Sequence, residues 1–154
     1  MKTNKVLILI LFLGFVSSCK KNSTKSNLKN QLFVNKCIKY IGTPYKFGGI
    51  DKNGLDCSGL IYLAFFEMGQ NIPRISYKQA EIFKEISKND LQIGDLLYFK
   101  VNSKKINHTG IVSKIIKRDE IYFIHASTSS GVREDNLFST FWHSKFVKVT
   151  RPNY

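Results

Sequence analysis

The chain has 154 residues, 43% of them hydrophobic, with a formal charge of +13. That length is one domain's worth, enough to bury a core without disulfide staples, and three cysteines make no even set for a disulfide framework. So basic a balance points to nucleic acid in a cytoplasmic protein, to anionic lipid or peptide carboxylates in an exported one, or simply to a soluble lysine-rich surface.

The N-terminus favours export. Lys2 and Lys5 precede the unbroken apolar run Val6–Val16 (VLILILFLGFV), and Ser17 and Ser18 lead to Cys19. The run is too short to cross a bilayer as a helix, which needs about twenty residues, and suits a signal peptide. Val16-Ser17-Ser18-Cys19 resembles the bacterial lipobox, in which the cysteine receives lipid and becomes the new first residue. Residues 1–18 are therefore expected to be a lipoprotein signal peptide, and 19–30 a flexible tether from lipidated Cys19. Fully stretched, that tether would reach about 35–40 Å. Export sets nucleic acid aside as a partner. Lys20 stands where an aspartate would argue for inner-membrane retention, so the expected location is the outer membrane, facing the periplasm.

Three helices are predicted next. The first, roughly 28–41, carries Val34, Cys37, Ile38 and Ile41 as one stripe and ends at Gly42-Thr43-Pro44, where proline forbids continuation. Cys37 on that stripe is expected to be a buried free thiol, although pairing with Cys57 is open to it in an oxidising compartment. A Gly48-Gly49 turn and a loop, Ile50 to Leu55, lead to a second helix at about 57–69, with Cys57, Leu60, Ile61, Ala64, Phe65 and Met68 inward. A third, about 76–87, follows Pro73. Strands then succeed one another: Asp95–Val101, Thr109–Ile116, Glu120–Ala126 and Lys145–Thr150 are β-branched and aromatic, with polar turns between them. Helices first and antiparallel strands afterwards define an α+β domain, placed at residues 31–154, with helices packed on one sheet.

The chemistry centres on Asp56-Cys57-Ser58-Gly59. Asp56 can cap the second helix and place Cys57 in its first turn, where free N–H groups and the positive end of the dipole favour a thiolate. The same N–H groups can receive an oxyanion, and small Ser58 and Gly59 would let a substrate backbone approach. A buried packing cysteine and a plain capping aspartate are the competing readings. A nucleophile needs a base and an orienting partner, and His108 and His125 supply them in papain-like order. Geometry raises one difficulty. A two-residue turn at Arg118-Asp119 sets His108 opposite Ser129, leaving His125 four residues along, about 13 Å away, unless a bulge intervenes. No zinc-ligand spacing is present, so neither metal nor other cofactor is expected.

The strings Gly42-Thr43-Pro44-Tyr45-Lys46-Phe47-Gly48-Gly49, Asp56-Cys57-Ser58-Gly59-Leu60, Pro73-Arg74, Gly94-Asp95-Leu96, His108-Thr109-Gly110-Ile111-Val112 and His125-Ala126-Ser127-Thr128-Ser129-Ser130-Gly131-Val132 run in one order along the chain. Together they resemble the NlpC family of cysteine peptidases, in particular its small lipoprotein murein endopeptidases of the Spr type. The resemblance implies a papain-like NlpC fold and hydrolysis of peptidoglycan stem or cross-bridge peptides; the protein itself is expected to be a monomer. The same resemblance implies Cys57 as nucleophile, His108 as base and His125 as third polar group. Tyr45, Asp56 and Ser58 would serve the oxyanion or the substrate; a core tyrosine is the bland alternative for Tyr45. The bond expected to be cut is the D-alanine–diaminopimelate cross-link, with cleavage after γ-D-glutamate as the alternative. Arg74 is expected to be a solvated loop arginine rather than a carboxylate ligand, and His143 to be structural. Two departures from the family are expected: a stretch from His108 to His125 longer than its tight hairpin, and a catalytic domain without the wall-binding module that many relatives carry before it. A catalytically idle wall-binding lipoprotein, or an acyltransferase or amidase acting on lipid, remain as rivals on the same fold.

Overall fold

The computed structural model describes residues 26–153. The signal peptide, Cys19 and most of the tether lie outside them. Asn30–Asn153 is the compact unit that carries the site.

The first helix (α1) covers 26–38, so it begins inside the stretch read as tether, two residues ahead of the start expected near 28. Its inward face is Phe33, Val34 and Cys37, all fully buried, while Ile38 and Ile41 stay half exposed. The stripe ends early because the helix stops at 38 and Gly42 turns the chain at φ +91°. The loop read at Ile50–Leu55 is a small hairpin, β1 (Ile50–Asp51) and β2 (Gly54–Leu55), closed by Asp51 Oδ1 accepting from Asn53 N at 2.7 Å. Turn-forming Asp, Asn and Gly dominate it, so no apolar alternation announced the strands.

Helix α2 is Cys57–Phe66 and α3 is Ser76–Ile82. Both are shorter than the sequence suggested. Gly69, at φ +74°, marks the turn after α2. Phe83 is extended and stacks on Phe65, and Lys84–Ile86 becomes strand β3 instead of a last helical turn. A 3-10 turn (Lys88–Asp90) then leads to β4 (Leu96–Phe99), β5 (His108–Lys117), β6 (Glu120–Ser127), β7 (Gly131–Asn136), a short α4 (Thr140–Lys145) and β8 (Phe146–Arg151).

Strands β3 to β8 form one antiparallel sheet in the order β3-β8-β4-β5-β6-β7. Alternation along the strands splits its buried side chains between two faces. Leu97, Phe99, Val112 and Phe123 share one face with Leu137 and Trp142. Their neighbours Leu96, Tyr98, Ile111 and Ile124, also fully buried, belong to the other. Helix α2 packs on β5 and β6. The result is a papain-like α+β fold in which a helix start and the head of a strand meet at one cleft.

Candidate active site

One wall of the cleft is the start of α2. Asp56 caps it from an extended backbone, with Oδ1 accepting from Gly59 N at 2.7 Å and Oδ2 from Gly48 N at 2.7 Å. Arg74 grips the same carboxylate with both terminal nitrogens, at 2.8 and 2.9 Å, and also donates to Ser58 Oγ and to the Gly49 carbonyl. Burial alone would raise the Asp56 carboxyl's pKa. Hydrogen bonds from Arg74, Gly59 and Gly48 outweigh it and hold the group below its ordinary value. Arg74 is thus an internal clamp, not the solvated loop arginine its neighbours suggested. The side chains of Asp56 and Ser58 are both hydrogen-bonded within this clamp. Gly59 is likewise closed: a Cβ there would sit 2.1 Å from the Gly49 carbonyl oxygen and 2.8 Å from Arg74. Its smallness serves the protein's own packing rather than an approaching substrate.

Cys57 follows the cap and is 8% exposed, its Sγ 3.8 Å from the Asn107 carbonyl oxygen. Burial pushes its thiol up to about 11 and the Asp56 carboxylate adds to that; backbone N–H groups of Thr109 and Ser58 and the charge of Arg74 pull the other way without prevailing. A helix start had suggested a thiolate. Here the positive end of the helix is already answered by the anionic cap, and desolvation decides. Cys37 is a separate buried free thiol, pushed up strongly by burial.

The other wall is built by strand register. The turn at Arg118-Asp119 is indeed two residues long, Lys117 pairing with Glu120. Two bulges in β5, at Ser113 and Ile116, then each move the pairing by one residue. Ile111 therefore pairs with Ile124, and the next position along sets Gly110, rather than Val112, beside His125. His108 and His125 are left two residues apart along the strands instead of four. Gly110 leaves the gap empty, for a Cβ there would lie 2.6 Å from the Phe123 ring and 3.1 Å from His125 Cβ. Across it, His108 Nε2 and His125 Nδ1 are 3.0 Å apart. That leaves Nδ1 of His108 as the ring nitrogen without a protein partner among these contacts. His108 stacks on Trp142 with ring centres 5.0 Å apart, and His125 meets the same indole edge-on. Burial, helped by the neighbouring His125, drives the His108 pKa down to about 3, so its ring is neutral around pH 7.

Beyond the histidines lies a residue that the motifs did not flag. Asp135 Oδ2 is 3.0 Å from His125 Nε2 and accepts from Trp142 Nε1 at 3.0 Å, while Oδ1 pairs with Arg133 at 2.7 Å. Burial opposes its charge, but bonds from His125 and Trp142 and the charge of Arg133 carry its pKa down to about 2. The pairing of Phe123 with Asp135 and of His125 with Arg133 turns both β7 side chains toward the His125 face. The signal in the sequence was a pair of charges at alternate positions shortly after a hairpin turn that begins three residues beyond His125.

The cleft has a volume of about 760 Å³, and Tyr45, Phe47, Cys57, His108, Arg133 and Phe141 are among its lining. Tyr45 bridges to Leu55, and the residues before it are tied to β7 by Gly42 N to Val132 O and Val132 N to Thr43 O, each 2.8 Å. Burial raises the Tyr45 hydroxyl's pKa, and Cys57 and Asp56 raise it further. His143 is outside the cleft lining, 2.9 Å from Lys88 Nζ. Among the described residues, no group of three or more His, Cys, Asp or Glu side chains is placed to hold a metal ion.

A helix-borne cysteine facing strand-borne histidines across a cleft is the layout of a papain-like cysteine peptidase. Residues 42–151 match the NlpC/P60 family, and the chain belongs to that family. It is 33% identical over 152 residues to a probable endopeptidase of Haemophilus influenzae, covering 92% of this chain and 91% of the relative. To the murein DD-endopeptidase MepS/murein LD-carboxypeptidase of Escherichia coli K12 it is 37% identical over 111 residues, 71% of this chain and 56% of that protein. Among solved structures, the NlpC/P60 domain of the peptidoglycan hydrolase SagA superposes with a TM-score of 0.67 at 26% identity, over 80% of this chain and 98% of that one.

Proposed function

We propose that this protein hydrolyses peptide bonds in peptidoglycan with Cys57 as nucleophile, His108 as base and His125 as the group that orients it. The observation that carries the reading is the single cleft lined by both Cys57 and a His108 hydrogen-bonded to His125. His108 Nδ1 takes the thiol proton as Sγ attacks the carbonyl carbon. Backbone N–H groups near Cys57, with the Tyr45 hydroxyl, receive the oxyanion. His108 then protonates the leaving amine, and water releases the acyl group from sulfur. Because thiol and imidazole are both neutral at rest, proton transfer accompanies attack instead of preceding it.

The bond is the D-alanine–diaminopimelate cross-link. The likeness to a protein named as a murein DD-endopeptidase supports that choice. The enzyme acts as a monomer anchored through lipid on Cys19, after removal of the leader, at the outer membrane facing the periplasm. The test is digestion of purified cross-linked peptidoglycan with the full-length protein and with Cys57→Ala, reading released muropeptides by mass spectrometry. Wild type alone should convert cross-linked dimers to monomers. Cleavage solely after γ-D-glutamate would overturn the bond and spare the mechanism, whereas equal binding without cleavage by both proteins would install the idle wall-binding reading.

A further inference from the structure

We propose that Asp135 is a positioning residue of this site, which fixes the proton arrangement of both imidazoles so that His108 presents a lone pair to Cys57. The proposal rests on His108 acting as the base. Every group against Asp135 is a donor or a cation: Trp142 Nε1–H at 3.0 Å and His125 Nε2 at 3.0 Å on Oδ2, and Arg133 on Oδ1. An indole N–H and a guanidinium can only donate, and an ionised carboxylate can only accept. His125 therefore carries its proton on Nε2.

The rest follows by the chemistry of imidazole. When His125 is neutral its ring has one donor nitrogen and one acceptor, and with the proton on Nε2 its Nδ1 is then the acceptor. The atom 3.0 Å from it is His108 Nε2, which must then be the donor. His108 holds its proton on Nε2 and its lone pair on Nδ1. That is the form that can accept the thiol proton. The opposite tautomer would place N–H toward the cleft and make His108 useless as a base until two protons had moved. The carboxylate sets this direction through two hydrogen bonds without touching the substrate. When His108 becomes cationic after proton transfer, the same chain carries favourable charge back to Asp135.

The surroundings hold the arrangement. His125 is wholly buried, and Trp142 both donates to Asp135 and lies flat against His108. One residue thus fixes the carboxylate and the ring it controls. His125 alone, without an ionised acceptor beyond it, could present either nitrogen to His108.

The experiment is 15N NMR of the full-length protein with labelled histidine, made simple because the chain has three histidines and His143→Gln removes the one outside the cleft. Wild type should show both His108 and His125 protonated on Nε2 at neutral pH. In Asp135→Asn the His108 signal should move toward the Nδ1-protonated form. With cross-linked muropeptide as substrate, kcat should fall about 30–100-fold with KM within about twofold. His108 protonated on Nδ1 in the wild type would overturn the proposal, whether or not any variant folds. So would an Asn variant whose kcat falls while the tautomer stays, since that loss would be merely structural, or one whose tautomer changes while kcat does not. None of these results bears on Cys57 as nucleophile, which the Cys57→Ala digest judges separately.

Discussion

The two walls of the cleft are held by different physics. The Cys57 wall is electrostatic: one arginine and two backbone N–H groups converge on the Asp56 carboxylate, and the loops that carry Arg74 and Gly48 are thereby fixed to the head of α2. The histidine wall is geometric: two bulges and a glycine set the register, and stacked aromatic rings keep the imidazoles where that register puts them. On the first wall a single charge can be removed and the whole loop assembly feels it. On the second, a single extra methyl group does comparable damage without touching any polar atom. A nucleophile on a helix start needs only one residue held still, so a local clamp suffices. A pair of rings drawn from two strands needs registration over the whole hairpin.

The largest effect expected is at the reacting atom. Cys57→Ala should lower turnover of cross-linked muropeptide by at least about 10⁴-fold. Residual activity near the wild-type rate would show that Cys57 is not the nucleophile.

Next comes His108→Gln, which should cost about 10³-fold in kcat. It also carries a stability signature. The buried ring protonates only near pH 3, against 6.5 in an open chain, so unfolding takes up a proton below pH 6.5. Stability contributed by the neutral ring is full above 6.5 and declines as pH falls from there toward 3. Urea titrations should show that decline flattened in the Gln variant; parallel curves for the two proteins would contradict the assignment.

The electrostatic wall should respond less in rate and more in stability. Arg74→Met leaves Asp56 charged, nearly buried and without its cation, which should cost about 3 kcal/mol in urea unfolding. An unchanged midpoint would mean that the backbone N–H groups alone satisfy the cap. On the geometric wall, Gly110→Ala forces a Cβ to within 2.7 Å of the Ile124 carbonyl oxygen, for about 1–3 kcal/mol of overpacking, and should lower kcat as the two imidazoles part. A crystal structure of that variant with the His108–His125 bond intact would remove register from the account. The smallest effect concerns the resting thiol. Alkylation of Cys57 by iodoacetamide should keep accelerating from pH 7 toward about 11, since burial holds the thiol protonated. A rate already flat at neutral pH would reveal a preformed thiolate.

The sequence made the first wall visible and much of the second invisible. Asp56, Cys57 and the apolar positions of α2 follow one another in a short window, and local spacing is what a sequence displays well. His108 and His125 were legible as residues, but not as neighbours. Their meeting depends on Ser113 and Ile116 each standing as the extra residue of a bulge, and neither residue type marks one. Strand β7 was missed because Gly131–Asn136 has one apolar residue, Val132, among charged and polar ones. It is an edge strand, and its pairing is supplied by β6 and by the Gly42-Thr43 segment rather than by its own composition. With β7 unread, Asp135 had no place beside His125. Arg74 was misjudged for a related reason: its partner, Asp56, lies far back in the chain, and a clamp between two loops leaves no periodic trace.

The most direct test of the central claim is rapid-quench intact-protein mass spectrometry during turnover of a cross-linked muropeptide, comparing wild type with Cys57→Ala. With Cys57 as nucleophile, the wild type gains a transient mass equal to the acyl half of the substrate, mapping to Cys57 on digestion and absent in the variant. Full turnover with no adduct on Cys57, at a rate the alanine variant shares, would contradict that role.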